Sequence, residues 1–386
     1  MPSPLSARLQ AVIGVSEDWV RDLYPATRDQ VYLDVAAVGI VSTRVEAAMA
    51  EVLAAHGRRG IGAAAGWGAM IARARALVAA LVGGHEDRVA FTQNTSTGLA
   101  LVANGVDWSA GDNVVVPAGE FPSNFYPWTQ LRRRGVELRE VPMVDGHADL
   151  AAAAALVDDR TRVLAISAVQ YSSGYRYDLA PLGELCRARD TLLVVDGTQA
   201  AGALTLDADA TGIDVLAVSA HKWMLGPLGI GFVALSERAM GRLHPSTAGW
   251  LSVERPFDFD HEPQLAGDGR RFESGTENMV GIAGLGATVG IVLELGREAV
   301  ETLVLDRTAE LTELLIAAGL TPTRTSERSH WSGILIATTG DDDAALHRRL
   351  LDADVRCSLR GGGIRFAPHY YTTASDIERL AAALPA

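Results

Sequence analysis

Cysteine is scarce in this chain: 386 residues hold two, Cys186 and Cys357, and neither stands in a metal-ligand spacing. Two lone thiols exclude a disulfide framework and fit a reducing compartment, so a cytoplasmic setting is expected. Positive charge is short as well. Lys and Arg number 34 against 47 Asp and Glu, a net charge of −13. That balance argues against nucleic acid or an anionic membrane surface as a partner. The one basic cluster, Arg132-Arg133-Arg134, is read as a solvated helix C-terminus. Long apolar runs are missing. The longest, Met279 to Leu293, is too short to span a bilayer, and its glycines and alanines suit a tightly packed helix at a subunit contact. Met1 to Gly14 lacks a charged start followed by an apolar core, so no signal peptide is expected. His244, His261, His330 and His369 show no metal-ligand spacing, and no metal site is expected. A Gly-x-Gly-x-x-Gly turn after the first strand is also lacking, which speaks against a dinucleotide site.

What is present is material for a large interior, with 48% hydrophobic and 21% charged residues. The length predicts two domains. Short apolar runs alternate with helical patterns. Strands are expected at Val89–Thr92, Asn113–Pro117, Val136–Val141, Arg162–Ser167, Leu192–Asp196, Asp214–Ser219 and Gly229–Leu235. Helices are expected at Thr97–Asn104, Asn124–Arg133, Leu150–Leu156 and Pro181–Arg189. Such alternation predicts an α/β domain with a mostly parallel seven-stranded sheet covered by helices. Composition changes after about Trp250, where Ser252 to Asp268 reads as a long connecting loop. Beyond it the pattern predicts two long helices, a strand at Gly333–Thr338, a helix at Asp343–Leu351, short strands near Val355 and Ile364, and a last helix at Ser375–Leu384. The expected division is residues 26–255 as the large α/β domain and 256–386 as a small α+β domain, with 1–25 packed on the latter.

The chemistry begins at two strand ends. Leu192-Leu193-Val194-Val195 closes on Asp196, and Val215-Leu216-Ala217-Val218 runs into Ser219-Ala220-His221-Lys222. A lysine and a carboxylate so placed suit pyridoxal phosphate (PLP): the amine forms a Schiff base, and the acid keeps the pyridine nitrogen protonated. Ligands of an open parallel sheet sit at the carboxyl ends of its strands, where both residues fall. So does Asn94-Thr95-Ser96-Thr97, which opens a helix and offers free N–H groups and hydroxyls to a phosphate.

With these blocks in order, the whole chain resembles the class V aminotransferase family of fold-type I PLP enzymes, which includes cysteine desulfurases and isopenicillin-type epimerases. The matching blocks run from Tyr32-Leu33-Asp34 with Ala36-Ala37, through Phe91 to Ser96, Gly111 to Val114, Ser123-Asn124 with Pro127-Trp128, and Val195 to Ala200. They continue with Ser219 to Lys222, Gly226-Pro227 and Gly229, then Arg271 to Thr276, and Ile364-Arg365-Phe366. The resemblance implies that Lys222 holds the cofactor and shuttles a proton at the substrate α-carbon, Asp196 pairs with the ring nitrogen, and Gln199 bonds the phenolic oxygen. It assigns the phosphate to Thr95, Ser96, Ser219 and His221. It gives Arg365 the substrate α-carboxylate, for which a guanidinium fork is suited. Gly275-Thr276 resembles a loop that reaches the phosphate of a neighbouring subunit, which implies a homodimer with shared sites.

The departures bear on the reaction. Where the family often stacks a histidine on the ring, Glu120 is followed by Phe121, which can stack but cannot relay protons. Tyr171, in Gln170 to Gly174, replaces a family asparagine and either faces the ring or packs. Cys357 stands eight positions before Arg365 (365 − 357) and reads as a buried core residue, not the mobile thiol of a desulfurase. The Gln170–Gly174 stretch resembles the epimerase- and lyase-type branch more than the desulfurase branch, while the family label puts transamination of an amino acid or amino-acid-like metabolite first. A β-eliminating lyase or an epimerase stands as the alternative, and a PLP-binding regulatory protein is the non-enzyme reading.

Overall fold

The computed structural model describes residues 12–385. Residues 1–11, most of the stretch read for a leader, lie outside them. The central sheet has seven strands: β1 (Val89–Thr92), β2 (Asn113–Pro117), β3 (Glu137–Val141), β4 (Thr161–Ser167), β5 (Leu192–Asp196), β6 (Val215–Ser219) and β7 (Gly231–Leu235). Their spatial order is β1-β7-β6-β5-β4-β2-β3. All pairings are parallel except those of β7, which runs against both its neighbours. No crossover helix separates β6 from β7, so the chain must turn straight back, and Lys222 lies in that return. Most of these strands are buried along their whole length, as a sheet covered on both faces requires.

Strand ends fall within two residues of the sequence expectation, and Leu150–Leu156 is a helix as read. One helix differs. Asn124–Arg133 is broken into a 3₁₀ turn at Pro122–Asn124, a four-residue helix at Tyr126–Thr129 and a 3₁₀ segment at Gln130–Arg134. Pro127 gives no backbone N–H, so it fits only the first turn of a helix and restarts the ladder there. The basic cluster does end a helical segment, closed by Gly135 at φ 76°.

The apolar run forms the helix Met279–Leu295, which packs inside the chain against the helices Thr43–Arg59 and Ala64–Val82. Its glycines serve that close packing: an added Cβ on Gly284 or Gly286 would stand 3.1 or 3.3 Å from Met49 or Ala74 of those helices. By length and hydropathy alone the stretch Thr43–Val82 could cross a membrane. A 3₁₀ break at Gly60–Ala63 interrupts it, and Arg75 within it pairs with buried Glu273 at 2.8 Å.

The C-terminal part carries a second, antiparallel sheet ordered β8-β9-β11-β10, from β8 (Thr321–Pro322), β9 (Leu335–Thr338), β10 (Ser358–Arg360) and β11 (Gly363–Phe366). Leu311, Leu335, Leu350, Ile364 and Leu380 form its own apolar core. The chain's early segment ties in here. Val31–Tyr32 pairs with Val355–Arg356, and Arg21 bonds Asp376 at 2.9 Å and Thr373 at 2.7 Å.

Candidate active site

Strands β1, β4, β5 and β6 all end at one edge of the large sheet. A cavity of about 430 Å³ opens there, within the range of about 300–1,000 Å³ usual for small-molecule sites. Of the residues singled out from sequence, Thr95, Ser96, Phe121, Tyr171, Asp196, Gln199, Ser219, His221, Lys222 and Arg365 all line it. Gly275 and Thr276 do not. They border a separate groove with Gln93, Thr97 and Asn278.

One end of the cavity is built of hydroxyls. Asn94 caps the helix Thr95–Gly105 by accepting from the Thr97 N–H at 3.0 Å. Thr95 Oγ1 lies 2.7 Å from Ser219 Oγ and 2.5 Å from Thr198 Oγ1, and Thr95 N–H donates to Ser219 Oγ at 2.8 Å. Ser96 donates to Ser123 at 2.7 Å. A helix N-terminus ringed by hydroxyls that satisfy one another suits an anion: each can turn its proton to the ligand.

Beside this cradle, Asp196 is 7% exposed, and its Oδ1 accepts from Thr198 N–H at 2.9 Å. Burial pushes its carboxyl up, while Thr198 and Lys222 pull it back. A pyridinium N–H stabilises the ionised form that burial penalises. Lys222 is held down, chiefly by burial, with Arg365 and Arg360 adding repulsion and Asp196 opposing. A neutral amine is the form able to attack an aldehyde or take a proton. Its Nζ stands 5.3 Å from the Phe121 ring centre. His221 is lowered by burial and by Lys222. The Lys222 turn is gripped from outside: Gly39 N–H donates to His221 O at 2.7 Å, and a Cβ on Gly39 would meet Lys222 O at 2.4 Å.

The residues present fit the cofactor: an anion cradle, a buried acid and a lysine face one cavity. Three further residues contribute. Thr198 bridges the acid and the hydroxyl cradle. Arg360 lines the cavity from the β10–β11 hairpin. Glu120, buried and beneath Phe121, accepts from Ser167 N–H and Oγ at 2.6 Å each; burial raises it to about 7, with the Ser167 bonds opposing. Thr198 stood inside a quoted block, and Glu120 beside the quoted Phe121.

Arg365 is 3% exposed and bonds Asp34 Oδ1 at 3.2 Å, while its Nε is buried without a partner. Phe121 and Tyr171 meet edge to face at 5.2 Å, forming an apolar wall. Cys357 lies in the small-sheet core, outside the cavity, and burial pushes its thiol up to about 12.

Comparison with known proteins gives the same picture over the full length. The chain is 30% identical to a probable cysteine desulfurase of Methanothermobacter thermautotrophicus, covering 95% of this chain and 96% of that one. It is 30% identical to isopenicillin N epimerase of Streptomyces clavuligerus, over 82% and 84% of the two chains. Among solved structures it resembles a cystine C–S lyase in complex with its reaction product, cysteine persulfide. That match has 25% identity, 94% and 100% coverage, and a TM-score of 0.85. The Aminotransferase class-V pattern matches residues 31–380. The cofactor of these enzymes is PLP, and the chain belongs to the class V aminotransferase family.

Proposed function

We propose that this protein is a PLP-dependent lyase that eliminates a β-substituent, such as a sulfur group, from an amino acid. The observation that carries the reading is a cavity complete for α-carbon chemistry but without a thiol: Lys222, Asp196 and Arg365 line it, and Cys357 does not. Elimination needs no protein thiol, whereas sulfur transfer through a protein persulfide does. The relatives carry cysteine desulfurase, C–S lyase and epimerase names, which support the lyase alternative over transamination, the reading expected first from sequence. Epimerization is disfavoured by Phe121, which offers no second proton donor.

Bound through Lys222, the cofactor supplies the electron sink for bonds broken at the α-carbon. Asp196 holds the proton on its ring nitrogen. Arg365 takes the substrate carboxylate and so orients the α-proton toward Lys222. Lys222, freed when the substrate amine takes its place and with its basicity tuned by burial, would remove that proton, and the electron pair of the carbon–sulfur bond would leave with sulfur. Phe121 and Tyr171 form an apolar wall beside the reacting face. After water uptake the organic products are pyruvate and ammonia.

A homodimer with shared sites belongs to the same proposal, supported by Gly275-Thr276 standing outside the chain's own cavity. A cytoplasmic setting does too, supported by two buried free thiols. The test is to incubate the holoenzyme with cystine and S-substituted cysteines, without a keto acid. Pyruvate and ammonia in equal amounts support elimination. Stable pyridoxamine phosphate with a keto acid would return the protein to transamination. No change of the visible spectrum with any amino acid would favour a regulatory role.

A further inference from the structure

Gln199 is a cavity residue whose carboxamide can face either way, and its role depends on which end it offers. Its two partners decide the matter. Trp223 Nε1–H donates to Gln199 Oε1 at 2.7 Å, and Gln199 Nε2–H donates to Ala36 O at 3.1 Å. An indole nitrogen can only donate, and a backbone carbonyl can only accept. A flipped amide would set donor against donor and acceptor against acceptor in a buried place, losing both bonds. The orientation is forced by chemistry.

The indole itself has no freedom. Trp223 is 0% exposed, and a Cβ on Gly333 would lie 2.1 Å from the outer edge of its ring, which leaves room there for glycine alone. His369 fixes its backbone: Tyr370 N–H donates to His369 Nδ1 at 2.9 Å, so the ring proton is on Nε2, which donates to Trp223 O at 2.8 Å. Trp223 also follows Lys222 directly, so one residue connects the cofactor lysine to the amide across the cavity.

Building on the reading of Gln199 as the partner of the cofactor's ring oxygen, we infer that Trp223 is a positioning residue. Its indole N–H locks the Gln199 carboxamide so that an amide N–H is the group left to donate to that oxygen. With the lock removed, Ala36 O alone holds the amide, and its N–H is kept less firmly toward that oxygen. Donation draws electron density from the ring oxygen and eases loss of the proton from the Lys222–cofactor linkage, so losing it moves that titration upward.

The test uses holoenzyme and two readouts that packing alone leaves unmoved together: the pH midpoint of the cofactor's visible band and the PLP dissociation constant. Trp223→Phe is expected to raise the midpoint by about one pH unit and weaken PLP by about tenfold, the scale of one hydrogen bond to a charged group. Both shifts should vanish in a Gln199→Ala background, since Trp223 acts through Gln199. If Trp223→Phe fails to fold, replacing Trp223 with benzothienylalanine keeps the bicyclic shape and removes only the N–H. A midpoint unmoved by loss of the indole N–H, while Gln199→Ala shifts it, overturns the inference and leaves the Gln199 assignment standing. A midpoint unmoved by Gln199→Ala overturns both.

Discussion

The two walls of the cavity are made differently. The sheet wall (Thr95, Asp196, Thr198, Gln199 and Ser219) is at most 7% exposed, sits at strand ends or helix starts, and is bonded residue to residue. The loop wall (Phe121, Tyr171 and Arg360) comes from three separate connections and is partly open to solvent. A rigid, mutually satisfied wall suits the part of the ligand that never changes, the cofactor. A wall of loops suits the part that differs between substrates. Glu120 joins the two, one residue from Phe121 and bonded to Ser167 at the end of β4.

The contrast can be broken most severely at Lys222. Lys222→Ala is expected to lower turnover by at least about 10⁴-fold, since it removes both the covalent anchor and the proton carrier. Pyruvate release measures this, and undiminished turnover would sink the mechanism. On the loop wall, Tyr171→Ala should change the ratio of kcat/KM between small and bulky S-substituents by about three- to tenfold, the scale of an aromatic pair. PLP affinity should stay within about twofold; an equal loss of cofactor would erase the distinction between walls. At the junction, Glu120 binds its proton more tightly folded than unfolded. Its stabilising contribution is therefore full below about pH 4.5 and lost as pH rises through about 7. Glu120→Gln should flatten the fall in Tm between those values, read by thermal melts of the apoprotein across pH; an unchanged slope would assign the fall to other groups. The smallest effect is expected outside both walls. Cys357→Ala should keep activity within about twofold, and a large loss of sulfur release would restore a thiol mechanism.

Much of the sheet wall was legible because strand ends are local. A run such as Leu192–Val195 can only be buried, and the polar residue that closes it must emerge at the rim. The loop wall was less so. Arg360 reaches the cavity because Gly361, at φ 67° and with no room for a side chain beside Ser172 O, seats the hairpin against the Tyr171 loop. Nothing in the local pattern encodes that contact. The lock on Gln199 was likewise unreadable: it joins residues 36, 199 and 223, whose donor and acceptor roles matter only once the fold brings them together. The helix Ala64–Val82 was blurred by Gly66 and Gly68, which weaken the helical pattern they lie in.

The short span from Asp34 to Gly39 acts as a leash. Asp34 is fastened to Arg365 of the small sheet, and Gly39 to the turn that carries Lys222. Five residues (39 − 34) reach at most roughly 17 Å when fully drawn out. Through this span, the arginine of the small sheet and the lysine of the large one are tied to a single short stretch of chain.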